Sequence, residues 1–296
     1  MDQKSELTIP LPEESSYVHT LSFLRRSPKE LLHQLEDDSI FKVIEVEKRP
    51  YLFRIEYAPH QLNVRFLNDL PSPEHRQRIE TYIRQWLDLD TNLKPFYQLA
   101  KTDALLNKLV SDYYGYRIVG QPDLFESLCW AVLGQQINLA FAYTLKGRFV
   151  ERYGDTVLWE GKPYFLFPHV HFVITIPQEE LLSLQFSKQK AAYIIEIARA
   201  FEEGLISTES LRGLPLSEAK EILMKIKGIG NWTANYALMK TYRYPDAFPL
   251  EDAGLHNAIK NLKKMKAKPS LDQVKRIFKK YKGWEAYATL YLWKSL

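Results

Sequence analysis

This 296-residue chain has a single cysteine, no long apolar run and a small net charge. The single cysteine, Cys129, excludes a disulfide framework and also a four-cysteine iron–sulfur cluster. No apolar run approaches the ~20 residues of a membrane span, and the first residues, MDQKSELTIPLPEESS, lack the basic and apolar pattern of a secretion signal. We therefore expect a cytoplasmic protein in a reducing compartment, without a membrane partner.

Net charge is only +4, but it is unevenly distributed. Residues 253–296 carry eleven Lys or Arg against two acids, which is +9, so the rest of the chain carries −5. A run of like charges is most often only a solvated face. Beside a phosphate-binding element, the same run would favour a surface that faces nucleic acid.

The N-terminal part shows the alternation of half-buried strands. Apolar residues recur at every second position in two segments: Tyr51, Phe53, Ile55 and Tyr57, then Leu62, Val64 and Phe66. We also expect a strand over 17–24, a helix over 27–35 that starts at a Ser-Pro-Lys-Glu capping box, and a helix over 74–86. The scattered histidines, including His169 and His171, form no cluster typical of a metal site. This part predicts a small antiparallel sheet covered by helices, without catalytic groups.

The pattern turns helical after Lys94-Pro95 and stays mostly so. Asp123 and Glu126 supply a cap for an apolar helix that meets a polar junction at 134–138, and a further helix runs to Tyr153 before Gly154. The predicted fold class is therefore α+β, with a mixed α/β domain over 1–115 and an all-α domain over 116–296.

The most informative stretch is 223–252, LMKIKGIGNWTANYALMKTYRYPDAFPLED. A helix beginning near Ser217 ends at a turn with two glycines, Gly228 and Gly230, and a second helix is expected to start at Asn231 as its N-cap. First-turn amides lack intrahelical partners and carry partial positive charge, so a phosphate fits there. An isolated match of this kind is more often a plain glycine turn between core helices.

A loop containing two prolines follows the second helix and leads to Glu251 and Asp252, which precede the apolar run of a third helix. An aspartate at that place is usually only a helix cap. Its combination with the hairpin motif GIGNWTANY resembles the helix-hairpin-helix superfamily of base-excision DNA glycosylases, and within it the 3-methyladenine DNA glycosylase II type. The similarity extends from about residue 16 to the end, and it is weak before about residue 115.

The resemblance implies a role for individual residues. Asp252 would be the catalytic carboxylate that stabilises positive charge on the deoxyribose and orients water. Gln136 would be the wedge that fills the gap left by the extruded nucleotide. The remaining implied sites are the DNA-backbone contacts Gly228, Gly230 and Thr233, the aromatic pocket Trp232, Tyr236, Trp284 and Tyr287, and backbone carbonyls of Met224, Ile226 and Ile229 for a monovalent cation.

Trp232 and Tyr236 are four residues apart on one helix and so share a face, for which core packing is the usual explanation. An aromatic cleft would instead attract ring-methylated, positively charged bases by cation–π contacts of about 0.5 to 2 kcal/mol each. Superfamily members that also cut the strand place a lysine at position 232. This chain has Trp232, and Lys227 and Lys240 are better explained by phosphate contact or solvent exposure.

We therefore predict a monofunctional, monomeric glycosylase that removes alkylated purines of the 3-methyladenine and 7-methylguanine type from double-stranded DNA, with no required cofactor and no metal held by side chains. Two alternatives stay open: a glycosylase for another damaged purine such as oxidised guanine, and a noncatalytic module that binds damaged DNA.

Overall fold

The computed structural model describes residues 5–296, which form two compact units. The first unit takes residues 5–13, 21–84 and 129–205, and the second takes 14–20, 85–128 and 206–296. Both units are thus discontinuous along the chain, whereas the domains expected over 1–115 and 116–296 are consecutive, so that boundary stays a prediction. Over 5–296, no helix has both the length and the apolar content needed to cross a membrane.

An antiparallel five-stranded sheet with the order β1-β5-β4-β3-β2 organises the described part of the first unit. The strands are β1 Glu6–Pro10, β2 Gln34–Glu36, β3 Ser39–Val46, β4 Arg49–Ala58 and β5 Gln61–Phe66. The two predicted alternating strands are confirmed as β4 and β5, which pair so that Ile55 lies opposite Val64, both fully buried. Tyr57 departs from the pattern, because it is exposed.

The rest of the first unit is a small hairpin and several helices. Its elements are β6 Thr156–Trp159, β7 Lys162–Phe165, most of α2 Pro73–Leu87, α6 Leu139–Tyr153, α7 Val170–Val173, α8 Gln178–Ser183 and α9 Lys188–Glu202. Tyr164 of β7 packs in one apolar cluster with Phe41 of β3 and Leu52 of β4, so the β-hairpin formed by β6 and β7 lies against the sheet. The helices predicted over 74–86 and up to Tyr153 are confirmed.

The second unit is helical throughout its assigned elements. These are α3 Lys94–Ala100, α4 Asn107–Asp112, α10 Leu216–Met224, α11 Asn231–Tyr242, α12 Ala253–Leu262, α13 Leu271–Phe278 and α14 Glu285–Trp293. Two further helices, α1 Tyr17–Leu24 and α5 Leu124–Gly134, contribute residues to both units. Phe96, Tyr281, Tyr287 and Tyr291 are fully buried in its core. The predicted α+β class, a small antiparallel sheet followed by a helical domain, is confirmed. The expectation that 116–296 is all-α is wrong in one place, because β6 and β7 lie within that segment.

The strand expected over 17–24 is wrong, because that segment is the helix α1. Ser16 supplies the missing start signal: the backbone N–H of His19 donates to Ser16 Oγ at 3.3 Å and that of Thr20 donates to the Ser16 carbonyl at 3.0 Å. The buried residues Leu21 and Leu24 then recur at helical spacing.

The helix expected over 27–35 is also wrong. Residues 27–30 form only a turn, and Gln34–Glu36 joins the sheet as β2. The Glu30 carboxylate, which would have completed the capping box, accepts from the Leu32 amide at 2.9 Å and pairs with the Lys146 ammonium at 3.0 Å. With that carboxylate engaged elsewhere, the expected cap does not form.

Candidate active site

The predicted hairpin is present between α10 and α11. Gly228 in its turn has a φ of +98°, a conformation that favours glycine, and the Ile229 N–H donates to the Ile226 carbonyl at 3.1 Å. Gly230, rather than Asn231, is the N-cap of α11, and it lies exposed with extended backbone. The first-turn amides of α11 therefore follow directly on a residue without a side chain, which suits the close approach of a phosphate.

Asn231 links the hairpin to the loop before Asp252 instead of capping α11. Its side-chain Nδ2 donates to both carboxylate oxygens of Glu251, at 2.9 and 3.0 Å. Its backbone carbonyl and its side-chain Oδ1 both accept from Asn235 Nδ2. Asn235 Oδ1 in turn accepts from the Phe248 backbone N–H at 3.0 Å. These polar contacts fix the loop 244–250 against α11. Because Asp252 follows that loop directly, the contacts also position Asp252 beside α11.

Asp252 is the N-cap of α12, as expected, and its half-buried carboxylate is held by three N–H donors. Oδ1 accepts from the Leu255 backbone N–H at 2.7 Å and from Trp293 Nε1 at 2.8 Å, while Oδ2 accepts from Trp232 Nε1 at 3.1 Å. Two indole donors and a helix N-terminus thus fix the orientation of one carboxylate.

An aromatic group surrounds this carboxylate. The rings of Trp232 and Tyr236 stack with centroids 5.2 Å apart and 21° between their planes, and the Trp293 ring lies 6.5 Å from that of Tyr236. All three residues are only half-buried, so part of the surface of this cluster is accessible to a ligand. Trp293 was missed from sequence, because nothing in its spacing relates the end of α14 to the hairpin.

Trp284 and Tyr287 do not join that cluster. Trp284 packs against Phe96 and Tyr287, with ring centroids 5.8 and 6.0 Å apart. Tyr287 is fully buried, its hydroxyl donates to Asp88, and burial raises the pKa of the Asp88 carboxyl. A base cannot reach the fully buried Tyr287, so its predicted place in the pocket is wrong. Trp284 is half-buried beside Phe96, and its predicted place in the pocket stays a prediction.

The exposure of three other residues near the helix-hairpin-helix turn can be compared with the roles expected from sequence. The Thr233 side chain is buried, so only its backbone could contact DNA. Lys240 is buried as well and donates to the Val119 carbonyl, which corrects the expectation of an exposed or phosphate-bound side chain. Lys227 is exposed in the turn, as expected.

Gln136 lies at the junction between α5 and α6, in the first unit. Its backbone has a positive φ of +56°, and its side chain is exposed. Asn138, two residues on, caps α6 by accepting from the Phe141 N–H at 2.8 Å. A positive φ is uncommon for a residue other than glycine, and among the described residues Gln136 shares it with nine others.

The basic residues of 253–296 lie largely at the surface. Those that are exposed are Lys263, Lys264, Lys266, Lys268, Lys275, Arg276, Lys279, Lys280 and Lys282. Lys280 nevertheless forms an ion pair with Asp103. Within the described residues, no cluster of three or more His, Cys, Asp or Glu could hold a metal ion.

Comparison with known proteins identifies the family of this chain. Residues 129–283, more than half of the chain, match the family described as HhH-GPD superfamily base excision DNA repair protein. The chain belongs to the HhH-GPD superfamily. Residues 29–128, ahead of the superfamily region, match the N-terminal domain of 8-oxoguanine DNA glycosylase.

Relatives of this HhH-GPD chain carry glycosylase names. A DNA-3-methyladenine glycosylase of Bacillus subtilis is 43% identical over 293 residues, which are 98% of this chain and 97% of the relative. DNA-3-methyladenine glycosylase 2 of Escherichia coli is 28% identical over 64% of this chain and 65% of its own length. The first of these relatives spans both the sheet and the helical part.

Solved structures extend the similarity to the fold. A 3-methyladenine DNA glycosylase from Archaeoglobus fulgidus superposes with a TM-score of 0.84 at 24% identity, covering 97% of each chain. The 3-methyladenine DNA glycosylase Mag1 of Schizosaccharomyces pombe, solved with abasic DNA, superposes with a TM-score of 0.58 at 27% identity, over 66% of this chain and 93% of its own.

Proposed function

We propose that this chain is a monofunctional DNA glycosylase that hydrolyses the N-glycosidic bond of alkylated purines in double-stranded DNA, as a step of base excision repair, and that it acts as a monomer in the cytoplasm. The observation that carries the proposal is the Asp252 carboxylate, held by Trp232, Trp293 and the Leu255 amide beside an open aromatic cluster. The names of the relatives, with one nearly full-length match at 43% identity, support the same activity.

The chemistry needs a base that has been turned out of the duplex. A purine methylated at a ring nitrogen carries positive charge, so the stacked rings of Trp232 and Tyr236, with Trp293, would attract it. As the bond from C1′ to the purine nitrogen breaks, its electron pair leaves with the base and neutralises it. The Asp252 carboxylate then stabilises the positive charge that develops on the sugar.

Water completes the reaction. It adds its oxygen to C1′ and releases a proton, which leaves an abasic site with both strands intact. A lysine nucleophile at position 232 would instead form a Schiff base and lead to strand cleavage. Trp232 offers no such nucleophile, and its Nε1 is already bonded to Asp252.

DNA binding follows from three features. The N-terminus of α11 offers backbone amides behind the exposed Gly230, and the basic residues of 253–296 add positive charge in the same unit. Gln136 would enter the duplex from its exposed junction and replace the stacking of the extruded nucleotide.

A monovalent cation would suit the hairpin backbone. The candidate ligands are the carbonyls of Met224, Ile226 and Ile229, which offer the uncharged oxygen donors that such ions accept. The Ile226 carbonyl accepts one hydrogen bond, from Ile229, and retains a second lone pair. A bound cation would add positive charge where a phosphate approaches, and no step of the reaction depends on it.

Asp252→Asn tests the catalytic assignment. Asparagine caps helices about as well as aspartate, so the variant should fold and still bind DNA, while release of 3-methyladenine and 7-methylguanine from methylated duplex should fall by roughly 100-fold or more. Glu218, which is exposed on α10 and away from the Asp252 contacts, provides the control Glu218→Gln, for which we expect nearly parental rates. Released bases are identified by chromatography.

Three results would contradict this proposal. Parental release by Asp252→Asn would remove the catalytic role of the carboxylate. Absence of release by the parent, together with binding to abasic duplex, would establish the noncatalytic module. Strand nicks that appear without added base or heat would exclude a monofunctional enzyme.

The match of residues 29–128 to the N-terminal domain of 8-oxoguanine DNA glycosylase keeps a second candidate substrate, an oxidised purine. We expect it to be poor, because 8-oxoguanine is neutral and gains no cation–π attraction from the aromatic cluster. Excision from duplex containing 8-oxoguanine, measured beside the methylated substrate, decides between them.

A further inference from the structure

Lys190 is a buried lysine on the face of α9 that otherwise carries Ile194 and Ile197. Ser187 caps this helix by accepting from the Lys190 backbone N–H at 3.2 Å, which fixes Lys190 in the first turn. The cap therefore fixes the point on α9 from which the Lys190 side chain extends. A lysine is almost never buried unless its ammonium is satisfied by hydrogen bonds.

The Lys190 ammonium donates to three backbone carbonyls at the C-terminal end of α5. The acceptors are the carbonyl oxygens of Val132 at 2.9 Å, Leu133 at 3.0 Å and Gln135 at 2.6 Å. An ammonium group has three protons, so all of its donor capacity is used here. Burial lowers the pKa of Lys190 to about 8, so the ammonium form still predominates at neutral pH.

The partial negative charge at a helix C-terminus favours a cation, and carbonyls there lack their usual helical partners. The Val132 carbonyl also accepts from the Gln135 backbone N–H at 3.2 Å and uses its second lone pair for Lys190. The third acceptor, Gln135, directly precedes Gln136. Gln136 has a positive φ of +56°, which is unfavourable for a residue with a Cβ atom, and its side chain is exposed. Such a conformation persists only where neighbouring contacts determine it.

We propose that Lys190 is a positioning residue: by holding the carbonyls of Val132, Leu133 and Gln135, it keeps the junction 134–138 in the one conformation that presents Gln136 to the duplex. This inference rests on the proposed function, since it assigns Lys190 to the wedge step of that reaction. Lys190 itself touches neither substrate nor the reacting atoms.

A double-mutant cycle tests the proposal. The variants are Lys190→Met, Gln136→Ala and their combination, with Lys188→Met as the matched control, because Lys188 is exposed on the same helix and its loss removes the same charge. The readout is single-turnover release of 7-methylguanine from duplex DNA. Thermal unfolding of each variant is followed in parallel.

Residues that act through one step lose activity non-additively. We expect Lys190→Met to lower release about 10-fold or more in the parental background, because misplacement of a positioned group is costly, and only about 2-fold in the Gln136→Ala background. Lys188→Met should stay near the parental rate. Equal fold losses from Lys190→Met in both backgrounds would overturn the proposal and leave Lys190 a structural residue.

Failure of the proposed function gives a different pattern. If the parent releases no base, that function is wrong, and the same cycle is measured as affinity for duplex carrying an abasic-site analogue. Non-additive losses of affinity would still support the positioning role, whereas additive losses would overturn it.

Lys190→Arg keeps a cation at the site and serves if Lys190→Met fails to fold. The planar guanidinium cannot converge three donors on one set of carbonyls as an ammonium does. We expect faster hydrogen exchange of the amides of residues 135–138 in Lys190→Arg and unchanged exchange in β3, β4 and β5. Unchanged exchange at 135–138 would overturn the proposal.

Discussion

Asp252 combines two roles in one side chain. It caps α12 through the Leu255 N–H, and the same oxygen accepts from Trp293. Substitution by alanine should therefore cost about 1 kcal/mol of folding free energy for the cap, in addition to the lost activity. For this reason the asparagine variant isolates the chemistry and the alanine variant does not.

Trp293 belongs to the aromatic cluster beside Asp252 but not to the pocket expected from sequence. Trp293→Phe keeps an aromatic ring but removes the N–H that donates to Asp252 at 2.8 Å. Hydrogen bonds to charged groups contribute about 1.5 to 3 kcal/mol, so we expect single-turnover release to fall roughly 10-fold while affinity for undamaged duplex is unchanged. Trp284→Phe is the control and should be near parental. A larger effect of Trp284→Phe would instead favour the pocket deduced from sequence.

His33 predicts a dependence of stability on pH. Burial lowers the pKa of His33 to about 4, although nearby Glu30 opposes this, and its Nε2 lies 3.1 Å from the Leu24 carbonyl. An unfolded histidine binds a proton near pH 6.5. Between pH 6.5 and 4 the unfolded chain therefore binds more protons, so the free energy of unfolding should fall by up to about 3 kcal/mol as pH falls through this window.

Urea unfolding at several pH values measures this loss. His33→Gln can still donate to the Leu24 carbonyl and does not titrate, so the decline between pH 6.5 and 4 should become shallower. His60→Asn, at an exposed turn residue with positive φ, is the matched control and should keep the parental decline. The same slope in His33→Gln as in the parent would show that His33 does not carry the effect.

At the scale of elements, the hairpin offers two glycines with different requirements. Gly228 has a φ of +98°, so Gly228→Ala should destabilise the fold by about 1 to 2 kcal/mol. Gly230 has a φ of −91°, and a Cβ added there meets no atom within 4 Å, so Gly230→Ala should fold and lose stability only through the poorer N-cap, by about 0.5 to 1 kcal/mol. That methyl group would nevertheless stand at the N-terminus of α11, and we expect several-fold weaker DNA binding. Parental affinity of Gly230→Ala would argue against phosphate contact at this turn.

Elements with strong local signals were predictable from sequence. The strands β4 and β5 followed from alternation, and the hairpin and the N-cap at Asp252 followed from glycine and aspartate placement. Segments decided by distant partners were not. Glu30 has the right spacing for a cap, but its pairing with Lys146, over a hundred residues away, leaves 27–30 as a turn.

The same limit applies to the site. Trp232 and Tyr236 were predictable together because they lie one turn apart on α11. Trp293 contacts Asp252, which is 41 positions earlier in the chain, and Lys190 contacts carbonyls more than fifty positions earlier. The periodicity of the sequence does not reveal such distant contacts. The one available signal for Lys190 was a charged residue in register with Ile194 and Ile197.

At the scale of the whole molecule, the excess of positive charge in 253–296 predicts a salt-dependent affinity for DNA. Each neutralised phosphate steepens the slope of log affinity against log salt by about 0.9. Substituting the exposed residues Lys263, Lys266 and Lys268 by glutamine should make the slope shallower by roughly 1 to 3 if they contact phosphates. Glutamine at the exposed Lys101 and Lys108 is the control. An unchanged slope would mean that the basic segment is only a solvated face.

Because the indoles of Trp232 and Trp293 share one carboxylate beside an open ring stack, the protein carries its own optical probe. A cationic purine seated on those rings would quench their emission, whereas the four tryptophans elsewhere would contribute a steady background. Arrival of the damaged base and its departure after cleavage could then be timed in a stopped-flow instrument without any label on the DNA.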